Sequence, residues 1–142
     1  MFLGKSNKWN STLKKLESGE ITIQEFVNAN EKKMLYYSTP FFEDDKGQHA
    51  NVLQTNASDI VFFPAFSNIS DLKAHMTAIG CTEHLIIKGD LKSVLDSLDS
   101  HPLIQAWGVV IDPHASNSLG LPPKSKPQII PASLSLFHTV VQ

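Results

Sequence analysis

Three polar residues that could do chemistry follow two strand-like apolar segments. Ser67 comes after DIVFFPAF, residues 59–66, while Asp112 and His114 come after WGVVI, residues 107–111. Ligands of open α/β sheets bind outside the carboxyl ends of parallel strands, where loops converge. If the two strands are neighbours, the three residues lie close together. A serine, a histidine and an acid are the groups of a hydrolase relay.

The local sequence argues against that relay. No G-x-S-x-G turn surrounds Ser67, and only Pro113 separates Asp112 from His114. This spacing favours neither a buried acid that orients the histidine nor a histidine base directed at the serine hydroxyl. Asp112 is a good turn residue, and Pro113 stops a strand from continuing. We therefore interpret this segment first as the end of a strand and second as the border of a site. No catalytic residue is predicted.

Metal and nucleotide motifs are incomplete. Cys81 and His84 have the spacing of two zinc ligands, but Cys81 is the only cysteine, and a structural zinc site needs four ligands. Gly4, Lys5 and Ser6 imitate the end of a phosphate-binding loop, but the residues before them are too few for the strand and glycine that belong to it. The sequence predicts no metal site and no cofactor.

Charge and composition limit the class of partner. The 142 residues carry a net charge of −2, and all twelve basic residues are lysine. Because the chain lacks a basic field and the planar fork of arginine, we do not expect it to bind nucleic acid. No apolar run is long enough for a signal peptide or a membrane span, so we expect no membrane association and a cytoplasmic location.

The elements that position these residues belong to one predicted domain. Thr22 and Glu25 have the spacing of a capping box, which starts the second of two N-terminal helices. A polar turn at 43–47 is expected to join Phe41 and Phe42 to a strand near residues 52–53 in an antiparallel hairpin. The parts of the domain are N-terminal helices at 1–33, a core α/β region at 34–121, and a Pro-rich tail with a C-terminal element at 122–142.

The core region alternates strand and helix. Strands are predicted at 59–66, 84–88 and 107–111, with helices between them, and crossovers through helices suit parallel strands. We predict an α+β or α/β fold: a mixed β-sheet with an N-terminal helical pair, an antiparallel hairpin and a β-α-β-α-β run, with the helices packed on the sheet. The last eleven residues are predicted to form either a closing helix or an added strand.

Two segments of the core resemble the N-terminal domain of the SseB, or enhanced serine sensitivity, family. VFFPAFSNISDL, residues 61–72, resembles the family's strand, polar turn and helix, and WGVVIDP, residues 107–113, resembles a later strand that ends in Ile-Asn-Pro. Asp112 stands where the family usually has asparagine, and both side chains close turns. The resemblance implies a cytoplasmic bacterial domain without established catalytic activity. Similar compact domains occur beside toxins and secretion systems, where an immunity protein binds and blocks one partner.

We therefore expect a non-enzymatic protein-binding domain of the SseB type, and one form of that function is immunity against a toxin partner. An interface needs exposed aromatic residues inside a polar rim. The candidates near the acidic turn are Tyr36, Tyr37, Phe41 and Phe42.

Two alternatives stay open. The first is a small-ligand-binding regulatory module whose pocket lies at the carboxyl ends of the strands and is lined by Phe66, Ser67, Asp112 and His114. The second is a hydrolase that uses His114.

Overall fold

A computed structural model describes residues 8–55, 58–81, 83–115, 118–123 and 137–139 of the chain. In these residues the helices and strands form a mixed α+β fold, which confirms the predicted fold class. The helices are α1 (Lys8–Glu17), α2 (Ile23–Asn30), α3 (Ile69–Ala78) and α4 (Leu91–Ser100). The strands are β1 (Met34–Tyr37), β2 (Phe41–Asp44), β3 (Gly47–Ala50), β4 (Leu53–Thr55), β5 (Ser58–Ala65), β6 (Ile87–Asp90), β7 (Gly108–Ile111), β8 (Leu119–Leu121) and β9 (Phe137–Thr139).

Five strands form the main sheet, in the order β8-β7-β5-β4-β9. β5 and β7 are parallel, and the other neighbours are antiparallel. The chain runs from β5 through α3, β6 and α4 to β7, so the predicted alternation of strands and helices is confirmed. Of the two alternatives predicted for the last eleven residues, a closing helix or an added strand, the described residues Phe137–Thr139 form the strand β9, which pairs with β4. Residues 124–136 of the Pro-rich tail lie outside the described residues.

A two-stranded ribbon, β1 with β6, continues the main sheet through a single bridge. Tyr36 of β1 exchanges two backbone hydrogen bonds with Phe66, just beyond β5, at 2.7 and 2.8 Å. The strand predicted at 84–88 is therefore misplaced: β6 begins three residues later and lies antiparallel to β1, outside the main sheet. Gly89 lies in this strand opposite Leu35, and a Cβ at this position would lie 2.7 Å from the hydroxyl of Tyr37.

The predicted antiparallel hairpin is formed by β2 and β3, but its second strand starts earlier than expected. Asp44 pairs with Gly47, so the turn contains only Asp45 and Lys46. Gly47 then has a φ of +120°, which favours glycine. The strand expected near residues 52–53 is β4, which belongs to the main sheet.

Pro64 lies inside a central strand without breaking the sheet. β4 pairs with β5 only as far as Phe62, and the bridge to β1 occurs at Phe66. Backbone groups of alternate residues face the same neighbour, so the nitrogen of Pro64 faces the gap between β4 and β1. No N–H is needed there, which is the condition for proline within a sheet.

Helices pack on the sheet, as predicted. The larger core cluster joins α1, α2 and α4 to Phe63, Ala65 and Ile111 on one face of the main sheet. Leu72 and Met76 of α3 pack against Phe66, just beyond the end of β5. None of the helices within the described ranges is long and apolar enough to cross a membrane.

Local capping signals set where the helices begin. The predicted capping box of α2 is present: the hydroxyl of Thr22 accepts from the Glu25 N–H at 3.1 Å, and the Glu25 carboxylate accepts from the Thr22 N–H at 2.9 Å. Asn68 caps α3 and Asp90 caps α4 in the same way, each through a side-chain oxygen. The start of α3 is thereby fixed directly after the end of β5.

Candidate functional site at the ends of the parallel strands

The parallel strands β5 and β7 end side by side. Ala65 pairs with Ile111, and the N–H of Asp112 donates to the carbonyl of Ala65 at 2.9 Å. Ser67 and Asp112 therefore follow the ends of neighbouring strands, the arrangement in which the predicted site residues lie close together.

Asp112 connects the end of β7 to the loop before α3. Its carboxylate accepts one hydrogen bond from the backbone N–H of Ser67 at 2.8 Å and another from the hydroxyl of Ser67 at 2.6 Å. Its φ of 52° lies in the left-handed region, which asparagine and aspartate adopt more readily than most residues. These contacts support the interpretation of Asp112 as the residue that closes this strand end.

His114 contacts a second histidine, His75, which was not among the predicted site residues. The Nδ1 of His75, on α3, lies 3.0 Å from the Nε2 of His114. The two ring centroids are 5.2 Å apart, so the nitrogens lie nearly on the line between the ring centres and face each other. His75 is only 4% exposed. Burial, with a smaller contribution from His114, lowers the pKa of His75 from 6.5 to about 4.

An open cavity of about 410 Å³ lies beside the two histidines, and we call it the strand-end cleft. Three of the four predicted pocket residues line it: Phe66, Asp112 and His114. The fourth, Ser67, is hydrogen-bonded to Asp112. The lining residues are Phe66, Asp71, Ala74, His75, Ala78, Asp112, His114 and Ala115. The predicted pocket residues are thus brought together, with His75 added from α3.

A sequence signal for His75 was present. Leu72, Met76 and Ile79 fall at i, i+4 and i+7, which marks the apolar face of α3, and His75 falls three residues after Leu72, on the same face. A histidine on the buried face of a helix beside a predicted strand end is a candidate that this periodicity identifies.

This geometry does not form the catalytic relay that the hydrolase hypothesis needs. The hydroxyl of Ser67 donates to Asp112, and the ring of His114 contacts His75. A serine relay needs the histidine between the acid and the hydroxyl. Here the Asp112 carboxylate and the Ser67 hydroxyl are hydrogen-bonded directly to each other.

The four aromatic residues proposed as an interface lie on β1 and β2. Each is half-buried and has its own neighbour. Tyr37 packs edge-on against Phe63, Phe41 lies 5.6 Å from Trp107, and Phe42 lies 5.3 Å from His49. The amine of Lys88 lies over the ring of Tyr36.

A second cavity, of about 170 Å³, lies between α2, α4 and the start of β7, and we call it the helix groove. Its apolar lining includes Ile23, Val27, Leu95, Trp107 and Pro122. Three carboxylate side chains also border it: Glu31, Asp96 and Asp99. Trp107, packed against Phe41, joins this groove to the β2-β3 hairpin.

Cys81 and His84 occupy one loop, before β6. The thiol of Cys81 donates to the carbonyl of Glu83 at 3.4 Å, and a ring nitrogen of His84 lies 3.1 Å from the carbonyl of Cys81. Burial raises the pKa of the Cys81 thiol. Within the described residues, no group of three or more His, Cys, Asp or Glu side chains is gathered around one metal position.

Comparisons of the chain with protein-family models, with curated proteins and with solved structures gave no match.

Proposed function

We propose that this chain is a non-enzymatic protein-binding domain of the SseB type, and that its partner binds in the helix groove. The observation that carries this proposal is an apolar cavity of about 170 Å³ framed by three carboxylates. Protein interfaces are centred on one or a few large apolar side chains seated in well-packed pockets and surrounded by a polar rim. The helix groove has the size for one such side chain.

The charge around the groove indicates a basic partner. Among the described residues that line the groove, Lys92 is the one cation, and its amine contacts Asp96 at 2.7 Å. Glu31 and Asp99 add two further negative charges at the same opening. A partner with a large apolar side chain flanked by lysine or arginine would match both the apolar lining of the groove and the carboxylates around it. The attraction between its positive charges and these carboxylates would also speed association.

Immunity is the specific form of this function that the SseB resemblance suggests. An acidic surface suits the inhibition of a basic toxin, because such a partner is attracted before contact. If a toxin gene lies beside the gene for this chain, co-expression of the two is expected to restore the growth of cells that the toxin alone inhibits. The absence of a toxin gene from the neighbouring genes would contradict the immunity role but not the protein-binding function.

The test of the groove uses two leucines on the same chain. Leu95 lines the groove, and Leu103 is 75% exposed outside it. The wild-type protein, Leu95→Lys and Leu103→Lys are immobilised, and proteins retained from a host-cell extract are identified. We expect a partner that is retained by the wild type and by Leu103→Lys but lost with Leu95→Lys. Retention of the same proteins by all three, with unchanged melting temperatures, would refute the groove as the binding site.

The strand-end cleft supports a second function, the binding of a small ligand. Phe66, Asp112 and His114 line a cavity of about 410 Å³, within the size of small-molecule sites. A ligand that binds only the folded chain raises its melting temperature. A thermal-shift screen of amino acids, nucleotides and metal ions is therefore expected to give at least one stabilising compound, and His114→Gln is expected to remove the stabilisation.

A further inference from the structure

We propose that the strand-end cleft binds a small organic ammonium ion, a primary amine that has an apolar body and no carboxylate. This inference rests on the second proposed function, small-ligand binding in the same cleft, and names the chemical class of that ligand. It is independent of the helix groove.

The apolar part of the cleft determines the body of the ligand. One face of α3 borders the cavity, and its lining residues there, spaced at i, i+3, i+4 and i+7, are Asp71, Ala74, His75 and Ala78. The two alanines leave open the space that longer side chains would fill, and the ring of Phe66 adds apolar surface. A cavity of about 410 Å³ with this lining suits a ligand body such as a phenyl ring.

The charge of the cleft favours a cation. Asp71 and Asp112 bring two carboxylates to the cavity, and none of the described residues that line it is a lysine. Burial holds the pKa of His75 at about 4, so this ring adds no positive charge near neutral pH. A ligand with a carboxylate or a phosphate would therefore meet charges of its own sign, whereas an ammonium group is attracted.

Asp71 is the carboxylate that we expect to contact the ammonium group. Both oxygens of Asp112 already accept hydrogen bonds from Ser67, at 2.8 and 2.6 Å. Within the described part of the chain, Asp71 accepts a side-chain hydrogen bond at one oxygen, from the amide of Asn68 at 2.8 Å. Its other oxygen is therefore available to accept from an ammonium group, which has three N–H donors.

His75 provides a second polar group that needs a partner. Its side chain is only 4% exposed, and among the described residues a hydrogen bond reaches one of its two ring nitrogens, Nδ1, from or to His114. A buried polar atom without a partner costs free energy. In the tautomer whose Nδ1 donates to His114, Nε2 accepts a hydrogen bond. Because His75 lines the cavity four residues after Asp71, one ammonium group is placed to contact both side chains.

The experiment is calorimetric titration of the full chain with four compounds that share one phenyl ring. They are 2-phenylethylammonium, 2-phenylethanol, which lacks the charge, 3-phenylpropanoate, which reverses it, and phenylalanine, which adds a carboxylate to the amine. We expect one 2-phenylethylammonium ion per chain, bound at least about tenfold more tightly than the other three. No binding of the amine, or equal binding of the alcohol or of 3-phenylpropanoate, would overturn the proposal.

Two pairs of variants locate the bound amine. Asp71→Asn is expected to weaken its binding by at least about tenfold, whereas Asp45→Asn, which removes the same charge from the exposed turn after β2, leaves the affinity unchanged. Ala78→Leu fills the cleft and is expected to abolish binding, whereas Thr77→Leu, exposed on α3 outside the cavity lining, retains it. All four positions are exposed, so the circular dichroism of each variant is expected to match that of the wild type. Unchanged affinity in Asp71→Asn and Ala78→Leu would refute the site.

The cleft variants also separate this inference from the function on which it rests. A neutral or anionic compound from the thermal-shift screen that no longer binds Ala78→Leu would refute the amine class and leave the small-ligand function standing. If no compound stabilises the chain and the amine does not bind, both fail.

Discussion

Replacement of Asp112 tests whether this residue closes the fold. Its carboxylate accepts two hydrogen bonds from Ser67, and its backbone has a φ of 52°. Asparagine keeps both contacts, because its carbonyl oxygen accepts from the N–H and its amide donates to the hydroxyl oxygen of Ser67. Alanine loses both contacts and also tolerates the left-handed backbone less well.

The expected loss follows from these contacts. A hydrogen bond to a charged group contributes about 1.5–3 kcal/mol, and the lower value applies here because the site is only partly buried. The left-handed backbone adds about 1 kcal/mol for alanine. Asp112→Ala is therefore expected to lower the free energy of unfolding by about 4 kcal/mol, and Asp112→Asn by less than about 1 kcal/mol.

Urea unfolding followed by circular dichroism measures these differences. Ser67→Ala removes only the hydroxyl contact and is expected to cost about 1.5 kcal/mol. Because Asp112→Ala has already lost that contact, the double variant should be no less stable than Asp112→Ala alone. Two results would refute the closing role: equal destabilisation by asparagine and alanine, or additive losses in the double variant.

Three other variants test separate parts of the structure. Burial holds the pKa of His75 at about 4, against 6.5 in the unfolded chain. As the pH falls from 6.5 towards 4, the unfolded chain therefore takes up a proton that the folded chain does not, and the free energy of unfolding is expected to decrease by up to about 3 kcal/mol. His75→Gln, measured with a chelator present, should lose this dependence of stability on pH, and equal dependence in the wild type and the variant would contradict the assignment. Gly108→Ala places a Cβ 2.6 Å from the carbonyl oxygen of Leu121 and should lower the urea midpoint by an amount equivalent to about 1–3 kcal/mol, whereas an unchanged midpoint would mean that β8 moves freely. Thr22→Ala removes the cap of α2 and should cost about 1 kcal/mol in the same assay, with Thr22→Ser as the control that keeps the hydroxyl.

The parts of the fold that the sequence predicted depend on neighbours along the chain. Thr22 and Glu25 are three residues apart, and the hydrogen bonds that they exchange begin α2 as expected. The polar residues at the ends of β5 and β7 were also identified, because a strand that stops before Ser67 or Asp112 has a local signature. Only the pairing of the two strands, which brings these residues together, had to be assumed.

The parts that the sequence did not predict depend on distant partners. His75 and His114 are 39 residues apart, and no local pattern says that their rings meet. The strand predicted at 84–88 stops before Gly89, and glycine is usually unfavourable within a strand. In the structure Gly89 lies in β6 opposite Leu35 of β1, a partner far away in the sequence. The helix groove was missed because α2, α4 and Trp107 meet only in the folded chain.

The pairing of β9 with β4 affects the order of events during synthesis. Thr55 pairs with Phe137, so roughly 80 residues must leave the ribosome after β4 before its outer edge can be covered. Unpaired strand edges are templates for association with other chains, and contacts between distant segments form slowly. The nascent chain therefore passes through an interval in which β4 is open to wrong partners, and a chaperone that shields it during translation would raise the yield of folded protein.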